Sequence, residues 1–301
     1  MYERFFGLAE RPFELTPNPR YLVLTPSHEE ALANLRYGIT ARKGITLLLG
    51  DAGMGKTTIL RKALSIQVRA AGDDDEGWVF LNNPTLTRQE FLEVLADGFG
   101  LGPDAAASKP RLLAGLRRVL EERGRRGLAS ALIVDEAQSL PHELLEELRL
   151  LVNIESDTEK LLPLVLAGQP ELADRLNDRG LRQLKQRIAL RCRLRPLTLG
   201  ETASYIATRI RLAGGDAGRL FTRDAVIAIH EASEGIPRTI SVICDNALLG
   251  GFAADRCPVD ADIVREVCDD FDVGGGAAAP APPVPRRLAF PPPGAARAGR
   301  A

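Results

Sequence analysis

Between residues 45 and 194, short apolar runs alternate with longer stretches in which apolar positions recur at helical spacing. The runs Ile45–Leu49, Trp78–Leu81, Ala131–Val134, Leu162–Ala167 and Leu190–Leu194 predict buried strands. Thr57–Ala70, Arg88–Phe99, Leu112–Glu122 and Glu143–Ile154 predict helices; the last sets Leu144, Leu145, Leu148, Leu151 and Val152 on one face. Two short helices are expected between Glu171 and Ile188. Strands that alternate with helices predict an α/β fold, a parallel sheet with helices on both faces. From Thr198 the strands stop. Thr198 and Glu201 form a capping box for a helix to Ala213, and Thr222–Ala232, Pro237–Gly250 and Asp260–Asp270 predict three more. This is a small all-helical domain.

The two ends of the chain differ from this pattern. Residues 1–26 are rich in Phe and Pro and poor in periodicity, so they predict an extended arm anchored by Phe5, Phe6 and Phe13. Ser27 with Glu30 predicts a capping box that opens a helix to Gly38. From Gly274 onward the chain is Gly, Ala, Pro and Arg. It cannot bury enough surface to offset its ordering entropy, so a disordered tail is expected, with Arg286, Arg287, Arg297 and Arg300 solvated or, as the second reading, docked on an acidic partner. The acidic run Asp73–Glu76 reads as a solvated loop. The expected organisation is an N-terminal arm and helix over 1–40, an α/β domain over 41–197, a helical lid over 198–272 and the tail over 273–301.

Composition narrows the class. The 301 residues are 45% hydrophobic and 26% charged, as in soluble globular proteins, and no apolar run reaches the ~20 residues that span a bilayer. The N-terminus has no apolar core of a secretory signal. Together these predict a cytoplasmic protein without a membrane span. Net charge is −1, which weighs against nucleic-acid binding by bulk charge and leaves only a local basic patch. Cys192, Cys244, Cys257 and Cys268 form no C-x-x-C pair, so reduced thiols are expected rather than a zinc site or a disulfide framework.

The chemistry concentrates at strand ends. Gly50-Asp51-Ala52-Gly53-Met54-Gly55-Lys56-Thr57, with Thr58 following, matches G-x-x-x-x-G-K-[ST] directly after a strand and at the start of a helix. Glycines let the backbone turn its N–H groups onto phosphate, and the helix N-terminus adds partial positive charge. Lys56 would bridge the β- and γ-phosphates of ATP, and the Thr57 hydroxyl would coordinate Mg²⁺. The strand Ala131–Val134 ends in Asp135-Glu136. Asp135 would hold Mg²⁺ and Glu136 would polarise the attacking water. Gln169, at the end of the strand Leu162–Ala167, is placed to orient that water and sense the γ-phosphate, although such residues usually only make a turn. Arg179, Arg182, Lys185, Arg187, Arg191, Arg193 and Arg195 form a basic stretch, read on its own as a solvated face or a patch for an anionic partner. Gly235-Ile236-Pro237-Arg238 reads as a plain helix start, or as a lid arginine that folds over nucleotide.

In order, GDAGMGKTT, LIVDEAQ, LAGQPEL, LKQRI and GIPRTI resemble the Walker A, Walker B, sensor 1, arginine-finger and sensor 2 motifs of the AAA+ superfamily of P-loop NTPases. The opening FFGLAERPFELTPNPRYLVLTPSHEEALANLRYGI resembles the general secretion pathway protein A (ExeA-like) ATPases, which are related to transposition ATPases of the MuB and TniB kind. The resemblance implies a 5-1-4-3-2 sheet with a helical lid, ATP at the domain junction, and activity as a homo-oligomer. It implies that Arg187, with Arg182 in reserve, reaches a neighbour's γ-phosphate, and that Arg238 reports the nucleotide to the lid. It also implies a protein partner in bacterial secretion or exopolysaccharide and envelope export, with DNA-associated target selection as the second reading. The secretion ATPases continue into a transmembrane helix and a peptidoglycan-binding domain. Residues 274–301 carry neither, so contact with the inner membrane is expected through a partner.

Overall fold

The computed structural model of the chain describes residues 1–15, 19–70, 72, 77–82, 85–156 and 159–271. The expected acidic loop Asp73–Glu76 and the tail 273–301 lie outside the described residues. Five strands form one parallel sheet: β1 (Ile45–Leu49), β2 (Trp78–Leu81), β3 (Ala131–Val134), β4 (Leu164–Gly168) and β5 (Ile188–Arg193), in the order β2-β3-β4-β1-β5. This is the 5-1-4-3-2 arrangement. The principal helices are α1 (Pro26–Thr40), α2 (Lys56–Ala70), α3 (Arg88–Gly98), α4 (Lys109–Arg125) and α5 (His142–Leu151), then α6 (Leu199–Leu212), α7 (Arg223–Ser233), α8 (Pro237–Ala253) and α9 (Ala261–Asp270).

Alternation along each strand divides the core. Ile45, Leu47, Leu132, Val134, Leu164 and Leu166 face one cluster with α3, α4 and α5. Leu48, Ala131, Ile133, Val165 and Ala167 face another with α1 and α2. β4 begins two residues later than expected, because Pro163 has no N–H for the ladder; its carbonyl still accepts from Leu132 N at 3.0 Å. β5 begins two residues earlier, because Ile188 pairs with Ile45 and the ladder resumes at Thr46 with Leu190. Ala189 is therefore a bulge residue. Beyond it, Cys192 and Leu194 point into the α1–α2 core, while Arg191, Arg193 and Arg195 stand exposed.

The expected capping box at Ser27 is absent. Helix α1 starts two residues earlier than that box implies, with Pro26 in its first turn, a position for which proline's fixed φ is suited. Thr25 is the N-cap residue, but its hydroxyl is engaged by the His28 ring at 2.6 Å rather than by a backbone N–H. The boxes at Thr198/Glu201 and, unforeseen, Thr87/Glu90 are complete. All four cysteines are free thiols, and burial pushes the Cys192 thiol up to about 11.

The arm is not simply extended. Tyr2–Phe5 is a helical turn, and Tyr2, Phe6, Leu8, Phe13 and Tyr21 are built into the core of the helical domain with Ile206, Ile210, Ile240 and Val264. Phe6 and Phe13 are buried, as expected of anchors; Phe5 is 36% exposed and stacks edge-on against Phe6 and Phe252. Arg209 of α6 fastens the arm. Its guanidinium donates to the carbonyls of Pro12 (2.6 Å) and Glu14 (3.2 Å) and lies over the rings of Tyr21, Tyr205 and Phe13. Among the described residues, no helix is long and apolar enough to cross a membrane.

The segment that follows β5 is fastened to the helical domain at Gly235. Leu197 N donates to the Gly235 carbonyl at 2.8 Å, and Gly235 has φ +72°. A Cβ there would stand 2.2 Å from the Leu197 carbonyl oxygen. Gly235→Ala combines left-handed strain with a backbone clash, so the unfolding free energy should fall by about 2–4 kcal/mol, read as a lower denaturant midpoint.

Candidate nucleotide site

A cleft of about 360 Å³ opens where the β1–α2 loop, the start of α8 and the arm converge. Gly53, Met54, Gly55, Lys56, Thr57 and Thr58 form its floor, Glu136 stands to one side, and Pro237 and Arg238 close it from the helical domain. Leu15, Tyr21, Leu22 and Val23 of the arm supply an apolar wall.

The loop is shaped by φ values of +80° at Gly53 and +85° at Gly55. Gly53 also admits the start of α8. Its carbonyl accepts from Arg238 N at 3.3 Å, and a Cβ there would come within 2.8 Å of the Arg238 Cβ. Gly50 packs against Leu194, where a Cβ would sit 3.2 Å away, and Asp51 and Ala52 face outward. Lys56 is 4% exposed. Its ammonium donates to the carbonyls of Gly50 (2.9 Å) and Asp51 (3.1 Å), and Glu136 Oε1 is 4.0 Å away. A buried ammonium held mainly by neutral carbonyls is poised for an anion.

Thr57 donates its hydroxyl to Asp135 Oδ2. Asp135 is buried; burial pushes its carboxyl up, while the Thr57 hydroxyl and the Glu136 N–H pull the other way. A hydroxyl and a buried carboxylate side by side are hard oxygen donors, suited to a Mg²⁺ that takes its remaining ligands from phosphate and water. No cluster of three His, Cys, Asp or Glu able to hold a metal occurs among the described residues. Glu136 adopts φ +51°, a conformation that costs a non-glycine residue about 1–3 kcal/mol and recurs at functional sites.

The remaining candidates are spread out. Gln169 stands at the C-terminal end of β4, but its side chain does not line the cleft; its backbone N–H donates to Gln138 Oε1 at 3.1 Å. Arg238 is exposed at the cleft. Arg187 precedes β5, beside Ile45 at the start of β1, so about 16 Å of strand separates it from the loop of its own chain. The exposed Arg182 precedes β5 as well.

Three participants had no sequence signal: His28, Gln138 and Arg209. His28 is 4% exposed; one ring nitrogen meets Thr25 Oγ1 and the other meets the Met54 carbonyl at 3.0 Å. The second contact needs an N–H, so the neutral ring donates to Met54 and accepts from Thr25.

The family model described as AAA domain matches residues 39–176, which contain the loop, Asp135, Glu136 and Gln169. This chain carries an AAA domain. It is 42% identical over 256 residues to general secretion pathway protein A of Aeromonas hydrophila, covering 84% of this chain and 45% of that protein, so the chain spans less than half of its relative. Among solved structures, the AAA+ fold recurs in the ORC2 protein of Aeropyrum pernix, solved as ADPNP–ADP complexes (20% identity, TM-score 0.60, covering 91% of this chain and 74% of that one). It recurs in Cdc6p of Pyrobaculum aerophilum (18% identity, TM-score 0.62, 86% and 70% covered). The Holliday junction branch migration motor RuvB of Thermotoga maritima shares it too (18% identity, TM-score 0.52, 80% and 68% covered). The fold class expected from sequence is the one found, and the fold is that of nucleotide-binding P-loop proteins.

Burial lowers the His28 pKa below its usual value, so folding favours the neutral ring. The associated stability is present above the unfolded pKa of about 6.5 and is lost as pH falls toward the folded pKa, at up to ~1.4 kcal/mol per pH unit within that window. His28→Gln keeps a donor for Met54 and does not titrate. It should lose less stability than wild type between neutral and mildly acidic pH in paired denaturant titrations.

Proposed function

We propose that the chain binds ATP with Mg²⁺ in this cleft and hydrolyses it, and that it couples the cycle to oligomerisation and to remodelling of a protein partner in bacterial secretion or envelope export. The observation that carries the reading is the buried Lys56 ammonium, turned into a loop that faces Thr57, Asp135 and Glu136. The loop N–H groups and the start of α2 would receive the phosphates, with Lys56 giving up its carbonyl partners for phosphate oxygens. The apolar wall of the arm fits a planar base. Thr57 and Asp135 would hold Mg²⁺, which neutralises phosphate charge when bound. Glu136 would take the proton of the attacking water. Arg238, carried by the helical domain, would sense the phosphates.

The placement of Arg187 away from its own loop supports a role in trans, at the nucleotide of a neighbouring copy. The similarity to general secretion pathway protein A supports an export partner and a cytoplasmic setting reached at the inner membrane through that partner. It supports this only for the shared part of the two chains.

A second reading is favoured by β5. Arg191 and Arg193 lie exposed on one face of β5, about 6.6 Å apart, Arg195 is exposed two residues beyond Arg193, and the three form no ion pair among the described residues. Such a row fits the phosphates of DNA, as in target selection for transposition. Duplex binding should then weaken steeply with salt, and the triple Arg→Ala variant should lower the log–log slope by roughly 0.9 for each phosphate that an arginine no longer neutralises. No binding at low salt with ATP present removes this reading.

For the leading reading, Lys56→Ala should abolish nucleotide binding in an equilibrium assay. Glu136→Gln should bind ATP yet hydrolyse it roughly 10²–10⁴-fold more slowly. Mixing Lys56→Ala with Arg187→Ala should restore turnover that both parents lack. No recovery at any ratio, with assembly intact, sinks the role in trans; wild type that binds no adenine nucleotide sinks the whole reading.

A further inference from the structure

Gln138 stands two residues beyond Glu136, in the single turn Ala137–Ser139 that follows β3. Its amide is used at both ends. Nε2 donates to Glu136 Oε2 at 2.6 Å, and Oε1 accepts from the Gln169 backbone N–H at 3.1 Å. The two partners fix the amide's orientation, because a carboxylate requires the NH₂ end and an N–H requires the oxygen. The backbone here is clamped as well. The Arg175 guanidinium donates to the carbonyls of Gln138 and of Leu140, the latter at 2.8 Å.

Glu136 has little else to hold it. Its side chain is 40% exposed, and the Lys56 ammonium at 4.0 Å is beyond hydrogen-bond distance. Among the described residues, Gln138 is the side-chain donor within hydrogen-bond reach of that carboxylate.

We infer that Gln138 is a positioning residue for hydrolysis: it ties the Glu136 carboxylate to the backbone at the C-terminal end of β4 and sets its orientation relative to the phosphate loop. The inference rests on the hydrolysis reading above. Gln138 does not line the cleft, so it acts through Glu136 and not on the nucleotide. A carboxylate free to rotate would spend only part of its time aimed at the attacking water, and misplacement on that scale costs up to ~100-fold in rate. The link to β4 also gives Gln169 a role through its backbone N–H.

Two variants separate the roles of the amide. Gln138→Met keeps length and removes both polar ends. Gln138→Glu keeps an acceptor for Gln169 N–H, loses the donor, and places a like charge against Glu136. In both, kcat for ATP should fall roughly ten- to hundredfold, while nucleotide affinity and the thermal midpoint stay near wild type. Added to Glu136→Gln, Gln138→Met should cause no further loss, since a residue that acts only through Glu136 has nothing left to position. Wild-type kcat in both variants would overturn the inference. So would a fall in affinity parallel to that in kcat, or an additive loss in the double variant. If Gln138→Met does not fold, Gln138→Glu, which retains the tie to β4, decides alone. Wild type that binds ATP without turning it over defeats the hydrolysis reading and this inference together, whereas normal wild-type turnover that survives both substitutions defeats this inference only.

Discussion

The site depends on one buried cation. Lys56 sits almost wholly out of water, with two neutral carbonyls within hydrogen-bond distance and a carboxylate just beyond it. Desolvating an ammonium is costly, and neutral acceptors offset only part of that cost. The surrounding fold tolerates this because the β1–α2 loop is held from several directions. Its Gly53 carbonyl bonds to Arg238 N, its Met54 carbonyl to His28, and Gly50 abuts Leu194. A loop fixed in this way cannot relax to let the ammonium out. An anion bound there would therefore meet a cation that is already desolvated and held in place.

Most of the α/β domain was legible because both of its periods are local. The apolar runs Ile45–Leu49 and Ala131–Val134 predict buried strands, and the strand pleat then divides their residues between α1–α2 and α3–α5. The β1–α2 loop was legible as a motif because G-x-x-x-x-G-K-[ST] sets residue types at fixed spacing, and its two positive-φ glycines, Gly53 and Gly55, make the turn. Strand limits were less so, since a proline without an N–H and a bulge at Ala189 moved β4 and β5 by two residues each. These displacements arise from pairing, which periodicity does not encode. Ser27/Glu30 matched a capping pattern, yet Thr25 took the N-cap position, its hydroxyl bonded to His28 and not to a backbone N–H.

The unforeseen parts of the site share a cause. His28, Gln138 and Arg209 act through contacts with residues distant in sequence or with backbone atoms: Met54 carbonyl, Gln169 N–H, and the carbonyls of Pro12 and Glu14. Backbone partners leave no trace in side-chain identity. The arm shows the same limit. Its aromatic residues announced burial, but nothing in residues 1–26 specified that they would complete the core of a domain that begins more than 170 residues later.

That swap of partners has a mechanical corollary. Tyr2 donates its hydroxyl to Asp245 of α8, Phe6 lies in the helical core, and Arg209 grips Pro12 and Glu14. Residues Tyr2–Glu14 therefore belong, in rigid-body terms, to the helical domain, whereas Leu24 and α1 pack against the sheet. Any movement of that domain relative to the sheet would carry Tyr2 and Phe6 with it, as a pointer on the same dial, so a passenger fused ahead of Tyr2 would ride with the helices.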